Sequence, residues 1–132
     1  MRWQGTSLID APTPASFTGG ELEFGAQTLR FISRDPSNIH AVGQQGTDFR
    51  MRKVGLTVSR YTAECEGRVY AVNRTSGKRR EITDASGSIA ATTRGLPDGT
   101  LELRPTGALT LDLVFISWAL TWVDAPARRT LR

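Results

Sequence analysis

Residues 109–123 read Leu109-Thr-Leu-Asp-Leu-Val-Phe-Ile-Ser-Trp-Ala-Leu-Thr-Trp-Val123, with Asp112 as the only charge. A run of this kind suits a membrane span, a buried helix or buried strand. A span needs about 20 apolar residues, whereas runs of roughly 10–14 are more often core helices. Asp112 interrupts the run and Pro126, Arg128 and Arg129 close it, so no transmembrane span is expected. Between helix and strand the pattern divides. Leu109, Leu111, Leu113 and Phe115 alternate with Thr110, Asp112 and Val114 as a half-buried strand would. From Val114 onward the alternation fails: apolar residues occupy every side of a helix, and only Ser117 and Thr121 form a mildly polar line. A helix apolar all round must be enclosed. The favoured reading is a buried helix over about residues 107–124, with Thr106 as N-cap and Asp124-Ala125-Pro126 as its stop. Its core positions are Leu111, Leu113, Phe115, Ile116, Trp118, Leu120 and Trp122. Strand stays open as the alternative, because β-branched and aromatic residues also suit a sheet.

Upstream the chain is a series of short alternating runs. Glu-Leu-Glu-Phe and Thr-Leu-Arg-Phe-Ile-Ser flank Gly25-Ala26-Gln27 as a hairpin. Asp35-Pro36-Ser37-Asn38 is a turn before a short strand, Ile39 to Val42, and Phe49 to Lys53 reads as an edge strand with a basic outer face. Further strands are expected at Leu56 to Cys65, Arg68 to Asn73, Arg79 to Thr83, Ser88 to Thr93 and Thr100 to Arg104. Glu66-Gly67, Thr75-Ser76-Gly77, Asp84-Ala-Ser-Gly87 and Pro97-Asp98-Gly99 supply the turns between them. Residues 1–20 carry Pro12, Pro14, Gly19 and Gly20 among small polar residues and read as a loosely held N-terminal arm. About eight to ten short strands at this spacing indicate a sandwich or barrel. With one wholly apolar helix to enclose, the expected fold is mainly β: a closed or nearly closed antiparallel barrel with the C-terminal helix in its interior. At 132 residues the chain fits a single domain, residues 1–132.

The order of these segments resembles the tubby-like superfamily, which includes phospholipid scramblases and LURP-one-related proteins. The resemblance rests on Tyr70-Ala-Val-Asn-Arg74, then Ile82-Thr-Asp-Ala-Ser-Gly87-Ser-Ile-Ala, then the terminal helix, and covers roughly residues 55–123. It implies a non-enzymatic barrel threaded by a hydrophobic helix and associated with membrane lipid. Nothing matches the scramblase calcium-binding segment, and the phosphoinositide-binding lysine and arginine of tubby proteins have no counterparts that can be assigned. Neither property carries over.

Net charge is +4 with a pI near 10.0, from 17 Lys and Arg against 13 Asp and Glu. Such an excess favours anionic partners, although a solvated arginine-rich surface has the same composition. Lys78-Arg79-Arg80 at a hairpin tip, with Arg128 and Arg129 in the tail, are the candidate contacts for phospholipid, each contributing about 1 kcal/mol near an anionic surface. Aromatic residues are not interleaved with these clusters, which disfavours nucleic acid. His40 is the only histidine, which removes the usual general base and most zinc arrangements. Cys65 reads as a small buried residue, and Glu64 and Glu66 would face outward together if they shared one strand. Asp112 suits the positive end of the helix dipole, or else serves as a polar handle in the barrel lumen. No catalytic residue, metal or cofactor is expected. A single cysteine and the lack of an apolar h-region after Met1-Arg2-Trp3 lead to a cytoplasmic expectation, peripheral to a membrane on the lipid reading. The expected function is therefore a non-catalytic module for anionic lipid or a protein partner. The alternative is a structural subunit of an oligomer, with residues 109–123 as buried strand.

Overall fold

A computed structural model describes residues 1–57 and 59–125. Its strands are β1 (Arg2–Gln4), β2 (Ser7–Ile9), β3 (Ala15–Thr18), β4 (Glu21–Phe24), β5 (Gln27–Asp35), β6 (Asn38–Gly43), β7 (Asp48–Lys53), β8 (Arg60–Cys65), β9 (Arg68–Ser76), β10 (Arg79–Asp84), β11 (Ile89–Gly95) and β12 (Leu101–Pro105). Helix α1 (Leu111–Asp124) follows. Each strand pairs antiparallel with its successor. β1 also pairs with β12, placing Arg2 opposite Glu102 and Trp3 opposite Leu101, so the meander closes into a barrel.

Alternation decides which side chains enter the lumen. In β8, Tyr61, Ala63 and Cys65 are buried while Arg60 and Glu64 face solvent. An eight-stranded barrel is filled by its own side chains, and sixteen or more strands leave a channel. Twelve strands give an intermediate lumen. A helix about 10–12 Å across fills such a space. The 14-residue α1, about 21 Å long at about 1.5 Å per residue, passes along it. Leu113, Phe115, Ile116, Trp118 and Leu120 are buried, and Leu111 and Trp122 are partly buried against the same core at the two mouths. This is the mainly β barrel with an enclosed C-terminal helix that the apolar run implies.

Several local expectations change. Residues 111–124 are helical, so the strand alternative for the apolar run is overturned: an interior ringed by strands offers cover on all sides of a helix and no free edge for another strand. The N-cap is Thr110, whose Oγ1 accepts from the Leu113 N–H at 3.3 Å, and not Thr106. The Thr106 hydroxyl instead donates to the Ile89 carbonyl at 2.8 Å. Phe49 to Lys53 is no edge strand, because β7 lies between β6 and β8. The strand expected from Leu56 begins only at Arg60.

The largest correction concerns residues 1–20, which are not a loose arm. They supply β1, β2 and β3, and bury Trp3, Leu8, Ala15 and Phe17. Trp118 packs between Trp3, at 4.8 Å between ring centroids, and Phe17, at 4.7 Å. Trp3 also donates from its indole Nε1 to Ser117 Oγ at 2.9 Å, which gives the polar line on the helix a partner in the wall. Strands of three or four residues are too short to show a period, so their pattern emerges only once they are paired.

Candidate functional site

A meander puts alternate turns at the same end of the barrel. The turns β1–β2, β3–β4, β5–β6, β7–β8, β9–β10 and β11–β12 surround the C-terminal end of α1, and the remaining turns surround its start. Each end of the helix is held to the wall by a carboxylate and an arginine. At the start, Asp112 accepts from Arg68 Nε at 2.6 Å, from Arg68 Nη2 at 2.8 Å and from the Tyr70 hydroxyl at 2.5 Å. Burial, then this bond to Asp112, pushes the Tyr70 hydroxyl well above its ordinary value. Asp112 lies in the first turn, where the dipole favours it, and also serves as the handle to the wall. At the other end Asp124 accepts from Arg80 Nε at 2.8 Å and Nη2 at 3.2 Å, and the Arg80 guanidinium lies 5.3 Å from the centroid of the Tyr61 ring. Burial raises the Tyr61 hydroxyl as well.

This geometry divides the expected cluster Lys78-Arg79-Arg80. Arg80 is 1% exposed and bound to Asp124, so it is removed from any lipid-contacting role. The reason is parity: residues two apart on a strand share a face, and Arg80 shares one with the buried Ile82. Arg79 points outward and Lys78 is exposed, its Nζ donating to the Asp124 carbonyl at 3.2 Å. That contact neutralises the negative end of the helix dipole, which has no basic residue in its own last turn. Arg128 and Arg129 lie outside the described residues.

The rim around the helix C-terminus carries more than the hairpin tip. Strand ends bring Arg34, Lys53, Arg60 and Arg74 to it beside Lys78 and Arg79, with Glu21, Asp35 and Asp98 as its acids. Arg34 covers the Phe17 ring at 5.2 Å. From the β7–β8 loop Leu56 projects with 97% of its surface exposed, and Val54 beside it is also exposed. An aliphatic side chain held fully in water between Lys53 and Arg60 is the least expected feature of the surface. Reading residues from Leu56 onward as strand concealed it; in the structure Gly55, with φ +82°, lies in the turn and β8 starts only at Arg60.

The opposite rim carries Asp10, Asp48, Glu66 and Asp84 together with Arg2, 3.9 Å from Asp10, and Arg68, which bridges Glu66 and Asp112. His40 lies on the outer wall with Nε2 2.8 Å from Asp48 Oδ1, and this bond holds Asp48 below the usual carboxylate range. Glu66 stands in the expected Glu66-Gly67 turn between β8 and β9, so it shares no strand with Glu64; the Thr47 hydroxyl and Arg68 keep it low. Cys65 is buried, and burial pushes its thiol far up, away from nucleophilic reactivity. On the outer wall a groove of about 210 Å³ lies over β10–β12, where Arg79, Arg94 and Arg104 are interleaved with Glu81 and Glu102. Glu102 engages Arg94 at 3.7 Å and Arg104 at 3.3 Å. Among the described residues no helix is long and apolar enough to cross a membrane, and no group of three or more His, Cys, Asp or Glu side chains is placed to hold a metal ion. Comparison with protein-family models, with curated proteins and with solved structures finds no match to this chain.

Proposed function

We propose that this chain is a non-catalytic β-barrel module of the tubby and LURP-one kind, which associates with anionic phospholipid through the rim at the C-terminal end of α1. The observation that carries the reading is Leu56, 97% exposed in a loop flanked by Lys53 and Arg60 on a rim that also bears Arg34, Arg74, Lys78 and Arg79. Basic residues near an anionic leaflet contribute about 1 kcal/mol each. Burial of a leucine side chain contributes roughly 1.5–3 kcal/mol more. Together they suit a peripheral protein at a cytoplasmic membrane surface, where anionic lipid is concentrated. The tubby-like resemblance supports the same reading, since a barrel threaded by its C-terminal helix is what it implies. Cys65 is buried with its thiol pushed far up, which withdraws it from nucleophilic chemistry.

Co-sedimentation with vesicles of phosphatidylcholine alone and of phosphatidylcholine with phosphatidylserine tests the proposal. Binding is expected only with the anionic lipid and weakens as salt rises. The variant Lys53→Ala/Arg74→Ala/Lys78→Ala/Arg79→Ala, with Arg80 left in place because it is structural, loses binding, and Leu56→Asp weakens it at least tenfold. Failure of the wild type to bind anionic vesicles in a salt-sensitive way would overturn the reading.

A further inference from the structure

Register sets the charges on the outer wall. Across β10, β11 and β12 one row reads Arg79, Arg94, Glu102, and the row two residues further along each strand reads Glu81, Thr92, Arg104. All six alternate with the inward Arg80, Thr93 and Leu103 and so face outward. Arg79 and Arg94 are therefore directly opposed on neighbouring strands, and like charges so placed are destabilising. Neither has its donors met. Glu102 takes Arg104 on both oxygens, from Nε at 3.3 Å and from Nη2 at 3.3 Å. Arg94 Nε is left 3.7 Å from Glu102, beyond hydrogen-bond reach, and is a buried donor without an acceptor. Among the described residues Arg79 makes no ion pair. Both arginines look onto the groove of about 210 Å³ over β10–β12, which Thr75 and Thr92 also line.

We infer that this groove binds a phosphate monoester, clamped between Arg79 and Arg94. A planar guanidinium offers parallel N–H donors that match a pair of phosphate oxygens. Two such forks facing one another call for more acceptors than a carboxylate or a phosphodiester supplies, each having two terminal oxygens and one charge. A monoester has three terminal oxygens and carries about −1.5 to −2 charges near pH 7. It relieves the repulsion between the two cations and gives the buried Arg94 Nε its acceptor. Glu81 and Glu102 face the same groove and oppose an anion, but Arg104 offsets Glu102. Glu81 is thus the group that limits affinity. A soluble molecule or a lipid headgroup can carry such an ester, so the site stands apart from the vesicle reading although Arg79 belongs to both.

Nuclear magnetic resonance titration of the isotope-labelled full chain with monomethyl phosphate and with dimethyl phosphate tests the site. The monoester is expected to move the Nε–H resonances of Arg79 and Arg94 to saturation and to bind about tenfold more tightly than the diester, which offers fewer charge-assisted acceptors. Arg94→Lys keeps the charge but loses the fork, and is expected to weaken the monoester about tenfold. Glu81→Gln removes the opposing charge and strengthens it. Both positions lie on the outer wall, so neither substitution enters the core. Equal affinity for the two esters, no saturable shift, or a monoester affinity unchanged by Arg94→Lys would overturn the inference. Co-sedimentation with phosphatidylcholine vesicles carrying either phosphatidic acid, a monoester, or phosphatidylglycerol, a diester, at matched surface charge identifies the source. A preference for phosphatidic acid that Arg94→Lys removes assigns the site to a lipid headgroup, whereas equal binding to the two lipids beside tight binding of monomethyl phosphate assigns it to a soluble ester. Monomethyl phosphate bound by a chain that sediments with no anionic vesicle overturns the lipid reading and leaves the site standing.

Discussion

Arg80 and Asp124 are both buried, and the pair survives withdrawal from water because the two groups satisfy each other, with the Ser59 carbonyl also accepting from Arg80 Nη1 at 3.4 Å. Removing one partner leaves a charge without compensation, whereas removing both leaves an apolar site. Arg80→Met is therefore expected to lower the unfolding free energy by about 3–5 kcal/mol, and Arg80→Met/Asp124→Leu to recover most of that loss. Urea denaturation of the two single variants and the double variant checks this, and equal losses in the single and the double would contradict it. The Arg68–Asp112 pair is different, because the Arg68 side chain is half exposed and solvent screens it. The burial of Arg80 was within reach of the sequence. Lys78-Arg79-Arg80 reads as one cationic run when charge is counted, but parity with Ile82 already turns Arg80 inward. Its partner could not be read, since Asp124 is 44 residues away.

At the scale of the element, α1 is apolar around its whole circumference and cannot stand without the wall. Proline is a graded probe of it. At position 113, in the first turn, proline removes the cap bond from Thr110 and little of the helical ladder. At position 119, in the enclosed middle, it removes a ladder bond and adds a clash costing about 3 kcal/mol or more, beyond the lost packing. Ala119→Pro is expected to abolish the cooperative thermal transition followed by circular dichroism, while Leu113→Pro retains one at lower temperature. The helix was legible from residue 114 onward, where no strand pattern fits. Its first residues were ambiguous because Leu109, Leu111 and Leu113 alternate. Only Leu113 of the three is fully buried, which shows that the alternation had no sheet to serve.

The whole molecule responds to pH through groups at its turns and in its core. Asp35, Asp48, Glu66 and Asp84 are held low by Ser37, His40, Thr47 and the Ser86 region respectively. Carboxylates lowered by folding stabilise the native state above their unfolded values near 3.9–4.3, and that stability is lost as pH falls through the lower folded values. Cys65 and Tyr70 have the opposite sign: both are raised, so their contribution is intact below the unfolded values near 8.5 and 10 and declines as pH rises beyond them. The melting temperature is expected to be level between about pH 5 and 8 and to fall on both sides. A protein that kept its full melting temperature at pH 3 would contradict the acid limb, and Cys65→Ala should flatten the first part of the alkaline limb.

Short alternating runs, turns at regular intervals and one enclosed helix were all written locally, in side-chain periods that need no partner to be recognised. That was enough to determine a mainly β barrel around a helix. Closure was decided by tertiary structure, because it joins Trp3 to Leu101 and to Ser117 across almost the full chain, and strands as short as β1 and β2 carry no period of their own. The two ends were decided the same way. Whether Lys53, Arg74 and Lys78 share a surface depends on which turns the meander brings together, and charge along a sequence has no end of the barrel until the strands are paired.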